Sequence, residues 1–154
     1  MRIQSKDSAV ADTALVLTLK VAGQVCGVPV LSVRDVLGSQ TITRIPLAPP
    51  EVAGGLNLRG RIVTAVDLRR RLGLPDRDPA AQPMSIVVEV DNELYSMLAD
   101  SVGDVVPLAA EDAVPNPPTL DPLWRDVSRG VHRLDGQLLI VLDVDRVLAI
   151  GGGR

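Results

Sequence analysis

The sequence contains the same pattern twice. Residues 15–37 (LVLTLKVAGQVCGVPVLSVRDVL) lie over residues 84–106 (MSIVVEVDNELYSMLADSVGDVV) at a constant offset of 69, without a gap. Residues 60–72 (GRIVTAVDLRRRL) lie over residues 136–148 (GQLLIVLDVDRVL) at an offset of 76. Few positions are identical, but apolar residues match apolar residues nearly throughout. A repeat of about 70 residues is longer than a solenoid unit, so the sequence predicts two copies of one small module.

The composition limits both the core and the partners. A chain of 154 residues suits one domain, or two small ones that share a core. It has no Phe, one Trp and one Tyr, so Val, Leu, Ile and Ala must fill the core. Binding of single-stranded nucleic acid needs aromatic platforms, and a phosphate-binding surface needs positive charge. With a net charge of −3, we expect no nucleic-acid partner.

Metal, cofactor and membrane sites are not predicted. A single cysteine, Cys26, excludes an internal disulfide and a multi-cysteine metal site, and is expected to be a small buried hydrophobe. A single histidine, His132, is expected to be a satisfied turn residue. No apolar run reaches the roughly 18 residues of a membrane span. Residues 1–14 lack the apolar stretch of a secretory signal, so we expect a disordered leader on a cytoplasmic protein without direct membrane insertion.

The local patterns predict an all-β chain with one or two short helices. Alternating apolar residues on either side of Ala22–Gln24 and Asp91–Glu93 predict two hairpins. Residues 61–66 and 137–142 are short apolar runs that follow a glycine, and they predict interior strands. Each run leads into an aspartate, Asp67 or Asp143, that can cap a short helix.

Proline-rich stretches divide the chain. Pro75–Pro83 is expected to link the two copies, and Pro107–Pro122 is expected to be a surface excursion. Trp124 either anchors this excursion on the barrel or is itself a contact for a partner. Short strands punctuated by Gly and Pro suggest small barrels. We therefore expect one domain over residues 15–150, built from five-stranded subdomains at about 15–75 and 83–150. Whether the terminal segments cross between the barrels is left open.

An ordered set of motifs resembles the CheW family of chemotaxis coupling proteins. These motifs are Thr43–Pro46 (TRIP), Gly54–Gly60 (GGLNLRG), Ile62-Val63 and Val66–Arg69 (VDLR). They are collinear with the family pattern, and the resemblance covers about residues 15–149. It implies two SH3-like β-barrels packed together. It also implies a non-enzymatic adaptor, without a cofactor, that links the cytoplasmic tips of transmembrane chemoreceptors to the regulatory domain of the histidine kinase CheA.

The chain departs from the family pattern near the first strand, where aromatic residues are usual, and at four further positions. Cys26 stands where an aromatic residue is usual, Asp35 where Glu is usual, and Thr64 where Pro is usual; Pro29 replaces a polar residue. A diverged coupling protein that serves a specialised receptor array at the inner face of the membrane fits these departures. Two alternatives are a receptor–kinase array outside chemotaxis, and a module related to the kinase's own regulatory domain.

The resemblance also implies two binding surfaces. It places receptor contact in a groove between the barrels, at Val28, Val30, Val33, Asp35, Arg59 and Val102. It places kinase contact at Thr43, Ile45, Gly54 and Gly55. Glycines without a Cβ would let a partner approach closely there. The turn residue Arg59 could instead bond carbonyl groups of the adjacent loop.

An enzymatic alternative would use the carboxylates of Asp35, Asp104 or Asp143. Acid–base catalysis would need them in a concave pocket with shifted pKa values, and the sequence shows no clustering of this kind. Recurrence of Asp35 as Asp104 favours a structural turn role for Asp104. The run Arg69–Arg71 is expected to be a solvated face.

Overall fold

The computed structural model describes residues 13–150, which hold eleven strands, three short helices and two 3-10 turns. The strands are β1 (Thr13–Val21), β2 (Gln24–Pro29), β3 (Val33–Leu37), β4 (Val52–Leu58), β5 (Arg61–Asp67), β6 (Met84–Val90), β7 (Glu93–Ala99), β8 (Ser101–Ala109), β9 (Ala113–Val114), β10 (Ser128–Leu134) and β11 (Gln137–Leu142). The helices are α1 (Leu68–Arg71), α2 (Pro122–Val127) and α3 (Val144–Val147), and the 3-10 turns are Val30–Ser32 and Ala110–Asp112.

The strands form two sheets, which confirms the all-β prediction. The first sheet has the order β8-β1-β2-β11-β10-β9, and the second has the order β3-β6-β7-β5-β4. The first sheet has six strands because β9 adds two residues to the edge beside β10. In the second sheet an isolated bridge between Thr43 and Gly55 lies on β4 in the same way.

Each sheet takes strands from both copies of the repeat. Strand β8 of the second copy pairs with β1 of the first, and β3 of the first copy pairs with β6 of the second. The registers match as well: Leu17 lies opposite Val105, and the residues 69 positions away, Ile86 and Val36, lie opposite each other. The linker Pro75–Pro83 therefore does not separate the sheets, because the two copies are intertwined.

The predicted turns and interior strands are present. Both hairpin turns begin with left-handed residues, Ala22 (φ 50°) in one and Asp91 and Asn92 (φ 52° and 66°) in the other. Asp and Asn tolerate this region better than most residues. Strands β5 and β11 each lie between two neighbours, as their apolar sequences indicate. The hairpins and interior strands are therefore confirmed.

Two helices follow the predicted aspartates. Asp67 accepts a hydrogen bond from the backbone N–H of Arg69 (3.0 Å), and Asp143 accepts one from Arg146 (3.2 Å). Each carboxylate satisfies an amide at a helix N-terminus that has no intrahelical acceptor. Helices α1 and α3 are therefore confirmed.

The proline-rich stretch 107–122 is more structured than predicted. Strand β8 runs through Pro107 to Ala109. It lies at the edge of the sheet, where a proline is tolerated because residues whose backbone faces solvent need no N–H for the ladder. Asp121 then caps α2, with Pro122 in its first turn. Trp124 of α2 is only 8% exposed and packs in the core. Trp124 thus anchors this segment, which confirms one of its two predicted roles, and most of residues 107–122 lie at the surface as predicted, although they include strand residues.

The core has one central and two outer parts. The central cluster combines buried residues of both sheets, including Leu19, Cys26, Ile86 and Met97, with Trp124. A smaller cluster lies within the first sheet around Leu139, and another within the second around Val63. Cys26 is fully buried, which confirms the predicted buried hydrophobe, and this burial raises the pKa of its thiol to about 12. The central cluster holds the two sheets together.

The single histidine differs from its prediction. His132 lies in β10 and not in a turn. Its Nδ1 is buried and has no hydrogen-bond partner within residues 13–150. The prediction of a satisfied turn histidine is therefore wrong. In the part of the chain that the structure describes, no helix is long and apolar enough to cross a membrane.

Candidate protein-binding sites

Asp35 and Arg59, two of the predicted receptor-binding residues, form an ion pair. The β4–β5 turn holds Arg59 in the left-handed region (φ 52°), followed by Gly60 (φ 86°). Asn57 closes this turn by accepting a hydrogen bond from the backbone N–H of Gly60 at 2.9 Å. From the turn, Nη2 of Arg59 donates to Oδ2 of Asp35 on β3 at 3.3 Å. Its partner is thus a carboxylate, and the alternative role of bonding loop carbonyls is not the one observed.

The pair leaves both side chains accessible. The side chain of Arg59 is 78% exposed and that of Asp35 is 30% exposed. Oδ1 of Asp35 also accepts a hydrogen bond from the backbone N–H of Val36 at 2.9 Å, which fixes the carboxylate on the strand. An exposed ion pair contributes about 0–1 kcal/mol to stability. The arrangement therefore orients two charges at the surface more than it stabilises the fold.

Val33 and Val102 lie beside the central cluster at matching positions of the repeat. Val33 is opposite Val88 in the second sheet, and Val102 is opposite Leu19 in the first. Both are half-buried and pack against the central cluster, which both sheets build. The partly exposed surface at Val33 and Val102, where the resemblance places receptor contact, is called the valine groove below.

The other two predicted groove residues differ from each other. Val30 is half-buried in the 3-10 turn before β3 and keeps accessible surface. Val28 is fully buried in the central cluster. Its predicted direct contact with a receptor is therefore wrong, because strand β2 turns this side chain inward. Val28 can only support the valine groove from below.

The four predicted kinase-binding residues come together at the β4 edge of the second sheet. Thr43 and Gly55 exchange two backbone hydrogen bonds of 2.8 Å each. Ile45 follows Thr43 and is 38% exposed. Gly54 and Gly55 are buried in β4. The chain's own segment around Thr43 thus covers the β4 edge.

The close approach expected at Gly54 is internal. A Cβ added to Gly54 would collide with the carbonyl oxygen of Thr43 and with the side chain of Ile42. Gly54 also has a φ of +151°, a region that L side chains rarely adopt. The expectation that Gly54 opens the backbone to a partner is therefore wrong, since its space is already filled by the chain itself.

Two exposed apolar side chains near the β4 edge were not predicted from the sequence. Ile62 on β5 is 73% exposed, and Leu47 is fully exposed. A cleft of about 380 Å³ reaches from Thr43 to Ile62, and a larger one of about 630 Å³ includes Ile45 and Leu47. Leu47 also has φ +63°, which is uncommon for a bulky residue. We call Ile45, Leu47 and Ile62 the apolar patch; contiguous exposed apolar surface typically marks an interaction site.

The sequence signal for the apolar patch was weak. Ile62 belongs to a run that is apolar almost throughout, so the pattern does not show that its side chain points outward. Leu47 lies in a loop of prolines and alanine with no periodicity. The exposure of Leu47 accompanies its left-handed backbone, and that of Ile62 depends on how β5 pairs with β4. Neither feature can be read from the sequence.

Residues 15–150 match the family model described as "CheW-like domain". The chain belongs to this family. It is 30% identical over 131 residues to "Chemotaxis protein CheW" of Rhizobium meliloti, covering 85% of this chain and 84% of the relative. It is 29% identical over 123 residues to "Chemotaxis protein CheW" of Klebsiella aerogenes, covering 80% and 74%. The crystal structure of scaffolding protein TtCheW from Thermoanaerobacter tengcongensis shares the fold, with a TM-score of 0.80, 24% identity, and 90% and 94% coverage.

Within this CheW-like domain, the two copies differ in charge at the positions of Asp35 and Arg59. Asp135 is the counterpart of Arg59 and begins the same left-handed turn (φ 51°). Asp104 is the counterpart of Asp35 in the first alignment of the repeat. One copy therefore carries an ion pair where the other carries two acids. A partner that recognises the neutral pair can distinguish the two sides of the domain.

The carboxylates of the enzymatic alternative do not form a catalytic group. Asp35 pairs with Arg59, Asp143 caps α3, and Asp104 is exposed on β8. Hydrogen bonds from Arg69, together with those from the backbone N–H of Ala22 and from Arg77, hold the pKa of the Asp100 carboxyl at about 2. A carboxyl that stays ionised is a poor proton donor at neutral pH. Residues 13–150 also show no group of three or more potential metal ligands among His, Cys, Asp and Glu.

The arginine run is not a simple solvated face. Arg69 binds Asp100 and also donates to the carbonyl oxygen of Pro75. Arg70 pairs with Asp76 on the surface. Arg71 donates to the carbonyl oxygens of Arg146 and Val147 at the end of α3. The prediction for this run is wrong because two of its three guanidinium groups join parts of the fold that are distant in sequence.

Proposed function

We propose that this chain is a non-enzymatic adaptor that joins chemoreceptors to the histidine kinase CheA in chemotaxis signalling. The observation that carries the proposal is the presence of two separate surfaces suited to protein partners. One is the valine groove with the Asp35–Arg59 pair. The other is the apolar patch beside the β4 edge. Membership of the CheW-like family and relatives named chemotaxis proteins support this function.

The receptor surface consists of the valine groove with a charged rim. Val30, Val33 and Val102 accept the apolar stripe of a helix from the cytoplasmic tip of a receptor, and the Asp35–Arg59 pair sets the orientation of that helix. Helix-in-groove recognition uses apolar anchors of this kind, with rim charges governing rate and specificity. The domain then lies in receptor arrays at the inner face of the membrane without inserting into it.

The kinase surface is the apolar patch, framed by Thr43 and supported by Gly54 and Gly55. Ile62 and Leu47 supply exposed apolar area, and the clefts beside Ile45 can receive side chains of the kinase's regulatory domain. A few anchors near the centre of an interface usually contribute most of the affinity. The glycines act indirectly, because they let the segment around Thr43 pack on β4 and hold Ile45 in place.

The kinase surface is tested by a substitution with a matched control. Ile62→Asp replaces an exposed apolar anchor with a charge and should weaken binding of the CheA regulatory domain by about tenfold or more. A tenfold loss of affinity corresponds to about 1.4 kcal/mol. Leu138→Asp alters the equivalent residue of the second copy, which is 43% exposed, and should leave affinity within about twofold. Titration of both folded variants by calorimetry measures the effect. If only Leu138→Asp lowers kinase affinity, the kinase binds the equivalent surface of the second copy and the proposed kinase surface is wrong.

The receptor surface is tested by reversing a rim charge. Asp35→Lys breaks the pair with Arg59 and places two cations at the rim of the groove. Receptor-tip binding should fall while kinase binding stays unchanged. Asp104→Lys, at the equivalent position, is the control. Undiminished capture of receptor tips by a folded Asp35→Lys variant would contradict the proposed receptor surface.

A further inference from the structure

The chain crosses between the two sheets at two equivalent places. It leaves β2 of the first sheet through the 3-10 turn Val30–Ser32 and enters β3 of the second. It leaves β7 of the second sheet through Asp100 and enters β8 of the first. Val33 directly follows the first crossing, and Val102 lies two residues beyond Asp100. The geometry of each crossing therefore determines where its side of the valine groove lies.

The crossing at Asp100 is held by hydrogen-bond donors from three other segments, two of them charged. Arg69 of α1 donates from Nε and Nη2 to the two carboxylate oxygens at 3.0 and 2.7 Å. Arg77 of the linker donates from Nε to Oδ1 at 3.0 Å. The backbone N–H of Ala22, in the β1–β2 turn, donates to Oδ2 at 2.8 Å. Asp100 thus connects the β1–β2 turn of the first sheet to helix α1 and to the linker Pro75–Pro83.

A second carboxylate extends this network, which we call the Asp100 network. Nη1 of Arg77 donates to Oδ2 of Asp67, the residue that caps α1, at 3.0 Å. The side chains of Arg77 and Asp67 are only 10% and 11% exposed. Bidentate, charge-assisted hydrogen bonds between partly buried groups have defined geometry. Such a network restricts the positions of its side chains more than a single exposed ion pair does, because its groups are partly buried and share several hydrogen bonds.

The other crossing has no equivalent of this network. The repeat places Leu31 at the position of Asp100 and Asp145 at the position of Arg69. Leu31 is 92% exposed, so its side chain is not packed against the protein. The 3-10 turn that carries it has no side-chain cap from the residues that the structure describes. One side of the groove is therefore tied at its crossing, whereas on the other side the ionic contacts begin only after the crossing, with the Arg34–Glu89 pair at 2.8 Å and the Asp35–Arg59 pair on β3.

We propose that Asp100, Arg69 and Arg77 are positioning residues that fix Val102 relative to Val33 and so set the width of the valine groove. This inference rests on the proposed receptor surface. It assigns a role to the Asp-Leu-Arg motif of residues 67–69, which touches neither proposed interface.

The spacing of the groove can be measured directly. Val36→Cys and Val105→Cys carry spin labels at exposed, equivalent positions of β3 and β8, in a Cys26→Ala background. Asp100→Asn should broaden the distance distribution between the labels. Asp104→Asn alters an exposed carboxylate on the same strand and should leave it unchanged. An unchanged distribution in a folded Asp100→Asn variant would overturn the proposal.

Binding measurements separate this proposal from the proposed function. Asp100→Asn should lower receptor-tip affinity at least tenfold and change kinase affinity less than twofold. A purely structural role would lower both affinities together. If Asp100→Asn does not fold, Arg77→Gln removes the linker's contacts but keeps the Arg69 pair, and should give a smaller effect of the same kind.

The two ideas fail in different ways. Broadened distances with unchanged receptor affinity, while Asp35→Lys still abolishes receptor binding, would overturn the positioning role and leave the receptor surface in place. If neither Asp35→Lys nor Asp100→Asn changes receptor affinity, the receptor surface itself is wrong. Loss of receptor affinity in Asp100→Asn but not in Asp104→Asn, together with broadened distances, supports both.

Discussion

Arg71 donates from its Nε to the carbonyl oxygen of Val147 at 2.9 Å, so a side chain of α1 closes the C-terminus of α3. Its Nη2 also donates to the carbonyl oxygen of Arg146 at 2.9 Å. The last carbonyl groups of a helix have no intrahelical donor and need such partners. Because α1 and α3 are equivalent elements of the repeat, this contact ties the end of one copy to the end of the other.

Removing this contact should destabilise the fold. Arg71→Ala is expected to lower the free energy of unfolding by about 2–3 kcal/mol, since hydrogen bonds that involve a charged group contribute about 1.5–3 kcal/mol. Its side chain is only 10% exposed, whereas that of Arg70 is 44% exposed and pairs with an exposed Asp76. Arg70→Ala is therefore the control and should cost less than about 1 kcal/mol. Urea unfolding measures both, and equal costs would contradict the capping role.

The Asp35–Arg59 pair should affect binding more than stability. Reversing both charges, in the double variant Asp35→Arg with Arg59→Asp, restores attraction across the 3.3 Å contact. Each single variant should change stability by less than about 1 kcal/mol. Receptor affinity should be low in each single variant and stay low in the double variant, because the order of charges at the groove is inverted. Full recovery in the double variant would show that the pair acts only within the fold.

Acid should weaken the domain through Asp100. Its carboxyl has a pKa of about 2 in the folded protein and 3.8 as the reference for the unfolded chain. Folding therefore lowers this pKa, so the stabilisation is present above about pH 4 and is lost as the pH falls toward 2. The side chain is 23% exposed, and the shift corresponds to about 2 kcal/mol. The stability difference between wild type and Asp100→Asn should shrink over this range in urea titrations; a constant difference would refute the linkage.

Gly54 should matter for folding before it matters for binding. Gly54 and its counterpart Gly130 both have φ +151°, but a Cβ at Gly130 meets nothing within 4 Å among the described residues. Gly130→Ala should therefore incur backbone strain alone, about 1–3 kcal/mol. Gly54→Ala adds the collision with Thr43 and should cost at least about 1 kcal/mol more. Thermal unfolding compares them, and a Gly54 variant as stable as the Gly130 variant would contradict the packing of Thr43 on β4.

The sequence by itself determined the local structure and the family. Asp67 and Asp143 cap helices because a carboxylate needs only the amides of the next two or three residues. Asp91 and Asn92 turn a hairpin because they tolerate positive φ. The repeated apolar pattern was enough to indicate two equivalent β modules. Asp35 and Arg59 were each predicted as receptor-binding residues, but their ion pair was not predicted.

The tertiary structure decided what depends on contacts between distant residues. Strand β2 is apolar on both faces, so its period did not show that Val28 faces the central cluster. Arg69 finds Asp100 in the other copy, 31 residues away, only because the two copies exchange strands. The space at Gly54 is filled by a segment eleven residues earlier, which pairs with β4 across its edge. Hydrogen bonds and turns over two to four residues are encoded locally, whereas strand exchange, burial and charge pairing depend on which segments the folded chain brings together.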